Sequence, residues 1–311
     1  MTKRVAVMDL GTNTFHLLIA EGDINNYREI VHITEAVKIG EGGINKGYIV
    51  PEAFQRGVNT MQRFHELIEA NHVTDVRAIA TSALRSASNG KDFIKEVESK
   101  TGIAIEIIDG EQEAGFIYNG VKLSGCLSAK NSLIMDIGGG SVEFILGNTD
   151  KILWKQSFEV GAARLMDQFH HTDPIPPASI EALNLYLQDK LGDLFIATSG
   201  IEIGTLVGSS GSFETFAGLI ETEKAKSFDL KNIKHYDFEE DELLTITNKL
   251  IFSSHKERAG NPGIIPIRVD MIVAASLVTR FIMHALDIHN VSLCTNSLKE
   301  GVLAEMLTIA N

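Results

Sequence analysis

The sequence predicts an α/β protein built as two lobes, each with a mixed sheet and helices on its faces. The segment VMDLGTNTFHLLI at residues 7–19 is echoed by IMDIGGGSVEFIL at residues 134–146. The length of 311 residues suits two domains of ordinary size. Strand-like and helix-like segments alternate after each copy of the repeat, which is typical of sheets covered by helices.

Each copy of the repeat predicts a strand, a tight turn and a second strand. Asp9 and Asp136 end the two first strands, and Gly11 and Gly138 open turns rich in Gly, Ser and Thr. Such a turn exposes backbone N–H groups to an anion, and the carboxylate can hold a divalent cation beside it. The repeat therefore predicts two lobes that grip one phosphate-bearing ligand from opposite sides. The structural alternative is that each Asp only caps its own turn.

The first half predicts three adjacent strands followed by alternating helices and strands. Pro51 stands at a position where the first turn of a helix tolerates proline. The predicted strands cover residues 5–9, 15–20, 28–39, 76–81 and 104–108, and the predicted helices cover residues 51–70, 92–100 and 111–121.

The second half repeats this order. A third Gly/Ser turn, GSSGS at residues 208–212, opens a helix, and helix N-termini favour anions. The polar stretch KLSGCLSAKN at residues 122–131 is the predicted linker, so we expect domains at 1–124 and 125–311, with a last helix that can pack on the first lobe. The predicted strands cover residues 132–136, 142–146, 152–158, 203–207 and 291–293, and the predicted helices cover residues 162–169, 177–191, 239–250, 268–286 and 298–309.

Composition and charge limit the possible partners. Hydrophobic residues make up 44% and charged residues 22% of the chain, as in ordinary soluble globular proteins. A formal charge of −13 argues against binding a nucleic-acid polymer, and no apolar run is long enough to span a membrane. The chain begins MTKR without a leader, and Cys126 and Cys294 lack metal-ligand spacing, so we expect a cytoplasmic protein.

The motif IIDGEQEAGFI places Glu111 and Glu113 in the first turn of a helix. Acidic residues at this position interact favourably with the helix dipole, which is one explanation for them. The second explanation is catalytic. Because this helix precedes the linker, we expect Glu113 to face the cleft between the lobes, where it could take a proton from water attacking a terminal phosphoryl group.

Other charged residues could serve the same ligand. Arg85, in IATSALRSASN, can bind phosphate through two N–H groups, although many arginines are simply solvated; Arg164 is a weaker candidate of the same kind. Asp136 and Glu143 flank the second turn, so their carboxylates could share one Mg²⁺. The alternative for Glu143 is the solvent face of a strand, and His16, at the equivalent place in the first hairpin, is expected to be structural.

These motifs together resemble the exopolyphosphatase and guanosine pentaphosphate phosphatase family, a branch of the actin, Hsp70 and sugar-kinase superfamily. The resemblance runs through nearly the whole chain, in the ordered motifs DLGTNTFHLLI, VKIGEGG, ATSALR, DGEQEA, DIGGGSVEFI, VGAARL, VGSSGSFET, IPIRVDMIVAASL and NSLKEGVL.

The resemblance implies two ribonuclease-H-like (actin-like ATPase) lobes with an active site in the interlobe cleft. It also implies release of terminal phosphate that depends on Mg²⁺ or another divalent cation, with Glu113 as the base that activates water. The implied metal ligands are Asp136, Glu143 and Asp9, and the implied phosphate-binding residues are Gly11, Thr12, Asn13, Arg85, Gly138, Gly139, Gly140 and Ser141.

The chain departs from the family pattern in two respects. The family motif usually reads Glu-Glu-Ala-Arg where this chain has Gln112, Glu113, Ala114 and Gly115, so a neighbouring acid and a basic group are missing. Many members also carry a further helical C-terminal region, whereas we expect this chain to consist of two lobes only. We therefore expect a short polyphosphate chain or a nucleotide tail as substrate rather than a long polymer.

Three functions remain open from the sequence. The first is hydrolysis of a terminal phosphoanhydride in inorganic polyphosphate or guanosine pentaphosphate. A kinase of the same superfamily is the second, and a nucleotide or alarmone-binding sensor with weak or no catalysis is the third. Exposed edge strands could pair two copies of the chain into a homodimer.

Overall fold

The computed structural model describes residues 3–24, 26–224, 229 and 233–308. The chain divides into two compact units, Met1–Leu123 with Leu298–Asn311, and Ser124–Ser297. The final helix thus belongs to the first unit, the packing that the sequence analysis allowed for the last helix of its domain 125–311.

The first unit contains a five-stranded mixed sheet in the order β3-β2-β1-β4-β5. The strands β1, β2 and β3 form an antiparallel meander, and β4 and β5 run parallel to β1. The strand bounds are β1 (Arg4–Leu10), β2 (Phe15–Asp23), β3 (Asn26–Glu35), β4 (Asp75–Ala80) and β5 (Ile105–Ile107).

Helices cover this sheet on both faces. The apolar side of the first helix, which includes Met61 and Phe64, is buried in the core of the unit, and the last helix of the chain packs on β1 and β2. The helix bounds are α1 (Pro51–Ala70), α2 (Ser82–Ser86), α3 (Gly90–Thr101), α4 (Gly110–Ser124) and α12 (Leu298–Thr308). Residue 309 of the predicted last helix lies outside the described residues.

The second unit contains a six-stranded mixed sheet in the order β10-β11-β9-β6-β7-β8. Strands β6, β7 and β8 are antiparallel neighbours, β9 and β11 run parallel to β6, and β10 is an antiparallel edge strand. The strand bounds are β6 (Ser132–Ile137), β7 (Val142–Gly147), β8 (Ile152–Phe158), β9 (Thr205–Ser209), β10 (His235–Phe238) and β11 (Val291–Cys294).

The helices of the second unit build its core against this sheet. Strands β6 and β7 are buried along their whole length, and their alternate residues, such as Met135 and Phe144, lie in the core of the unit. The helix bounds are α5 (Ala162–Phe169), α6 (Pro177–Lys190), α7 (Gly192–Thr198), α8 (Gly211–Glu223), α9 (Glu240–Phe252), α10 (His255–Gly260) and α11 (Ile272–Ala285).

Several short elements differ from the prediction. The sequence analysis missed α2, α7, α10 and β10, each of seven residues or fewer. The helix predicted at 268–286 begins only at Ile272, and the predicted linker starts later because α4 extends to Ser124.

The two sheets share one arrangement. The first reads β3-β2-β1-β4-β5, and the second reads β8-β7-β6-β9-β11 with β10 added at its edge. Both sheets consist of an antiparallel meander followed by parallel strands, so the predicted α/β class and its duplication are confirmed. Among the residues that the structure describes, no helix is long and apolar enough to cross a membrane.

Candidate active site

The two repeated turns have the same local geometry. In the first hairpin, a side chain at Gly11 would place its Cβ 3.1 Å from the carbonyl oxygen of Thr14. In the second, a Cβ at Gly138 would lie 3.0 Å from the carbonyl oxygen of Ser141. Both glycines therefore allow the same close approach of backbone across a four-residue loop, and the repeat seen in the sequence is also a structural repeat.

The carbonyl groups of the first turn are held by the loop that follows β3. The oxygen of Thr12 accepts a hydrogen bond from the N–H of Gly40 at 3.1 Å, and that of Asn13 accepts one from Lys38 at 2.7 Å. The side chain of Thr12 is buried. The motif VKIGEGG, whose residues include Lys38 and Gly40, thus fixes the orientation of the predicted phosphate-binding turn.

The second turn is held in the same way by the start of α5. The carbonyl oxygens of Gly138 and Gly139 accept hydrogen bonds from the N–H groups of Ala162 and Ala163, both at 2.9 Å. Within the described part of the chain, the N–H groups of Gly139 and Gly140 have no hydrogen-bond partner. Successive backbone N–H groups without partners, in a turn whose carbonyls are already bonded, suit an anion.

Two further residues of the VGAARL motif support this turn. Arg164 donates from Nε to the carbonyl oxygen of Gly140 at 3.1 Å and lies 3.3 Å from the carboxylate of Glu159. A Cβ at Gly161 would lie 2.5 Å from backbone atoms of Gly139 and Gly140. In this structure, Arg164 braces the turn, and the phosphate contact that the sequence suggested for it stays a prediction.

Two carboxylates lie side by side next to the second turn. Asp136 pairs with Glu143 across β6 and β7, and their exposed fractions are 8% and 1%. Ser209 Oγ donates to Asp136 Oδ2 at 3.1 Å, and Ser157 Oγ donates to Glu143 Oε1 at 2.7 Å. Because Glu143 is buried, the alternative that it occupies a solvent-facing strand position is wrong.

This carboxylate pair has the chemistry of a Mg²⁺ site. Directly opposed residues on one sheet face have Cβ atoms about 4.5–5.5 Å apart, and two buried carboxylates that close favour a cation between them. The described residues contain no group of three His, Cys, Asp or Glu side chains that could hold a metal. Mg²⁺, however, is commonly bound by one or two carboxylates with water and phosphate completing its shell, so Asp136 and Glu143 fit this cation.

Parallel strands bring the first unit's candidates to one edge of its sheet. Strands β1, β4 and β5 run parallel, so the segments that follow their carboxyl ends lie side by side. The first turn follows β1, Arg85 follows β4, and Glu113 follows β5. Asp9, near the end of β1, is half-buried and pairs with His16 across β1 and β2.

The start of α4 positions Glu113. Asp109 Oδ1 accepts the N–H of Gln112 at 2.8 Å, and Gln112 Oε1 accepts the N–H of Asp109 at 3.1 Å. This reciprocal pair is a capping box, which satisfies two N–H groups at the helix start. Gln112 therefore has a structural role despite replacing the family's acid. Glu111 and Gln112 are exposed, whereas Glu113 is buried.

Arg85 binds Glu113 directly. Its Nη1 atom donates to Glu113 Oε2 at 3.0 Å and to the carbonyl oxygen of Ile108 at 3.0 Å. In the part of the chain that the structure describes, Nε and Nη2 of Arg85 have no hydrogen-bond partner. The structure thus joins the predicted base and the predicted phosphate ligand in one ion pair, with further donors on the arginine that a phosphate could use.

Sequence reasoning missed Arg268. Its guanidinium lies against Gly211 at the start of α8, where a Cβ would overlap it. Its Nε is buried without a hydrogen-bond partner among the described residues. Burial lowers the pKa of Arg268, while the carboxylates of Glu214 and Asp136 oppose that shift. The sequence did contain Arg268 as a basic residue within IPIRVDMIVAASL, and it contained the third glycine turn at residues 208–212. Only the fold shows that the two are neighbours.

Comparison with known proteins gives a consistent result. The chain is similar to exopolyphosphatase 1 of Mycobacterium tuberculosis, with 27% identity over 308 residues that cover 98% of this chain and 88% of that protein. It is also 28% identical to exopolyphosphatase 2 of Mycobacterium tuberculosis over 285 residues, 88% of each chain.

Solved structures agree with these matches. The crystal structure of an exopolyphosphatase from Cytophaga hutchinsonii superposes with a TM-score of 0.96 at 36% identity, covering 99% of both chains. The Aquifex aeolicus member of the Ppx/GppA protein family superposes with a TM-score of 0.82 at 22% identity, covering 100% of this chain and 99% of that one, which supports the fold. The Ppx/GppA phosphatase family matches residues 18–310. The chain therefore belongs to the Ppx/GppA phosphatase family.

Proposed function

We propose that this protein hydrolyses the terminal phosphoanhydride bond of inorganic polyphosphate, with guanosine pentaphosphate as a second possible substrate. The observation that carries the proposal is the buried Glu113 carboxylate held by Arg85 at the carboxyl edge of the first sheet. Membership of the family and similarity to proteins named exopolyphosphatases support the same reaction.

In the proposed reaction, Glu113 accepts the proton of the attacking water. Arg85 fixes one oxygen of that carboxylate at 3.0 Å and offers its other N–H groups to the phosphate. Phosphoryl transfer relies mostly on positioning and charge stabilisation, so a base of this kind adds about 10²–10⁴-fold to the rate.

The turns supply the phosphate contacts in this proposal. Gly11, Thr12 and Asn13 would bind from the first unit, and Gly138, Gly139, Gly140 and Ser141 from the second. Because the side chains of Thr12 and Ser141 are buried, we infer that backbone N–H groups make most of these contacts. That the two turns meet on one ligand stays a prediction.

We further propose that Asp136 and Glu143 hold Mg²⁺ or another divalent cation, with Asp9 contributing from the first unit. The bound cation supplies neutralisation of phosphate charge. Ser209 and Ser157 orient the two carboxylates through their hydroxyl hydrogen bonds. The overall charge of −13 makes such neutralisation important for a polyanionic substrate.

The test is phosphate release by the wild type, Glu113→Gln and Glu111→Gln, with Mg²⁺ or with a chelator. Short polyphosphate, long polyphosphate and guanosine pentaphosphate are compared side by side. Glu111→Gln is the matched control, because it makes the same change in the same helical turn at an exposed position.

We expect Glu113→Gln to lose about 10²-fold or more of kcat, Glu111→Gln to stay near wild type, and the chelator to stop release. Release that survives Glu113→Gln would contradict the role of the base. If the folded wild type binds guanosine pentaphosphate but releases no phosphate from any substrate, the protein is a sensor rather than a hydrolase.

A further inference from the structure

The only two cysteines of the chain, Cys126 and Cys294, lie in one cluster of the second unit. They are far apart in sequence, and Ser124 joins them. Ser124 Oγ lies 3.1 Å from Cys294 Sγ and accepts the N–H of Cys126 at 3.2 Å. The fold therefore brings the Cys294 sulfur and the backbone of Cys126 to one small hydroxyl group.

A second shared partner strengthens this juxtaposition. The carbonyl oxygen of Lys234 lies 3.3 Å from Cys126 Sγ and accepts the N–H of Thr295 at 3.2 Å. Thr295 follows Cys294 directly, and His235 pairs with Cys294 across β10 and β11. Cys126 is thus seated against the end of the strand that carries Cys294.

The two thiols differ in exposure and acidity. Cys126 is half-buried, whereas Cys294 is fully buried. Interaction with Cys294, helped by Ser124 and His235 and opposed by burial, lowers the pKa of the Cys126 thiol to about 6. The same interaction and burial raise the pKa of the Cys294 thiol. An accessible thiolate beside a neutral thiol is the usual arrangement of an attacking and a resolving cysteine.

We propose that Cys126 and Cys294 form a reversible disulfide when the protein meets a hydroperoxide. The Cys126 sulfur attacks the terminal peroxide oxygen, so the O–O bond breaks, the sulfur becomes a sulfenic acid, and the other oxygen leaves, with a proton, as an alcohol, or as water when the oxidant is hydrogen peroxide. Cys294 then attacks the sulfenic sulfur, so the S–S bond forms, the S–O bond breaks, and the hydroxyl leaves as water with the proton of the Cys294 thiol. The two thiols are oxidised by two electrons in total, and the hydroperoxide is reduced.

The disulfide would form close to both points at which the chain crosses between the two units. The chain passes from the first unit to the second just before Cys126 and returns just after Cys294. The bond would therefore tie together the two segments that connect the units. Cys294 Sγ also donates to the carbonyl oxygen of Asn296 at 3.5 Å, and Ser209 Oγ lies 3.2 Å from that oxygen.

Because Ser209 also contacts Asp136, this series of contacts connects Cys294 to a proposed metal ligand. We expect slower phosphate release from the oxidised protein, a consequence that rests on the proposed function. Formation of the disulfide itself does not depend on that function.

The experiment treats the purified full chain with hydrogen peroxide and counts free thiols after denaturation, together with the intact mass. The wild type should lose both free thiols, its intact mass should fall by the mass of two hydrogen atoms, and it should remain a monomer. Dithiothreitol should restore the thiols and the mass. Cys294→Ser should stop at a sulfenic acid on Cys126 that dimedone traps, and Cys126→Ser should keep Cys294 reduced.

Three results would each overturn the proposal: two free thiols after treatment, over-oxidation without a cross-link, or a disulfide between two chains. Phosphate release before and after oxidation gives the second readout, with Cys126→Ser expected to be insensitive to peroxide. If the reduced protein releases no phosphate, the proposed function fails while the thiol count still decides the disulfide.

Discussion

Replacing Gly161 by alanine tests whether α5 holds the second phosphate-binding turn. The backbone at Gly161 has φ −65° and ψ 157°, which alanine adopts without strain. Any effect must therefore come from contact. The new Cβ would lie 2.5 Å from backbone atoms of Gly139 and Gly140, whereas carbon atoms pack best at about 3.5–4.0 Å.

An overlap of about 1 Å against backbone must move either the turn or the start of α5. Overpacking of this kind costs about 1–3 kcal/mol in the free energy of unfolding. Displacement of a group at the reaction site by about 1 Å lowers the reaction rate about 10²-fold. We therefore expect both a lower stability and a fall in kcat/KM for phosphate release.

The assay is urea denaturation together with steady-state phosphate release. Gly218→Ala in α8 is the matched control, because a Cβ there meets nothing within 4 Å. Its free energy of unfolding should rise by about 1 kcal/mol, because alanine has the higher helix propensity. Wild-type stability and turnover in Gly161→Ala would refute the conclusion that this glycine positions the turn.

Three further variants or profiles test other parts of the structure. Gly211→Ala should displace the guanidinium of Arg268 and raise the KM for phosphate release. The free energy of unfolding should change little, because the arginine side chain can move aside. An unchanged KM would show that Arg268 does not contribute to substrate binding. Gln112→Ala should lower the free energy of unfolding by about 1 kcal/mol in urea denaturation through loss of the capping box, and no loss would contradict that role. Alkylation of Cys126 should reach half its maximal rate near pH 6, because its pKa lies at about 6, so the rate rises with pH through that value. Cys294 should stay unmodified over the same range, and a midpoint near that of an ordinary thiol would contradict this assignment.

Much of the fold was predictable because its signals are local. The repeated hairpins, their turns and the pairing of Asp136 with Glu143 follow from strand alternation around a short Gly-rich loop. The long helices were also predicted, with errors of a few residues at their ends. The elements missed, such as α7 and α10, are too short for a periodic pattern to show.

The sequence by itself determined the duplication, the two mixed sheets and the family. Which polar residues are buried, and beside what, was decided by tertiary structure. Glu111 and Glu113 look alike in sequence, yet only Glu113 is buried and meets Arg85. The same holds for Arg268 over Gly211 and for Cys126 beside Cys294. The reason is physical: turns and periodicity depend on neighbouring residues, whereas these contacts join residues that approach one another only when the sheets and helices pack.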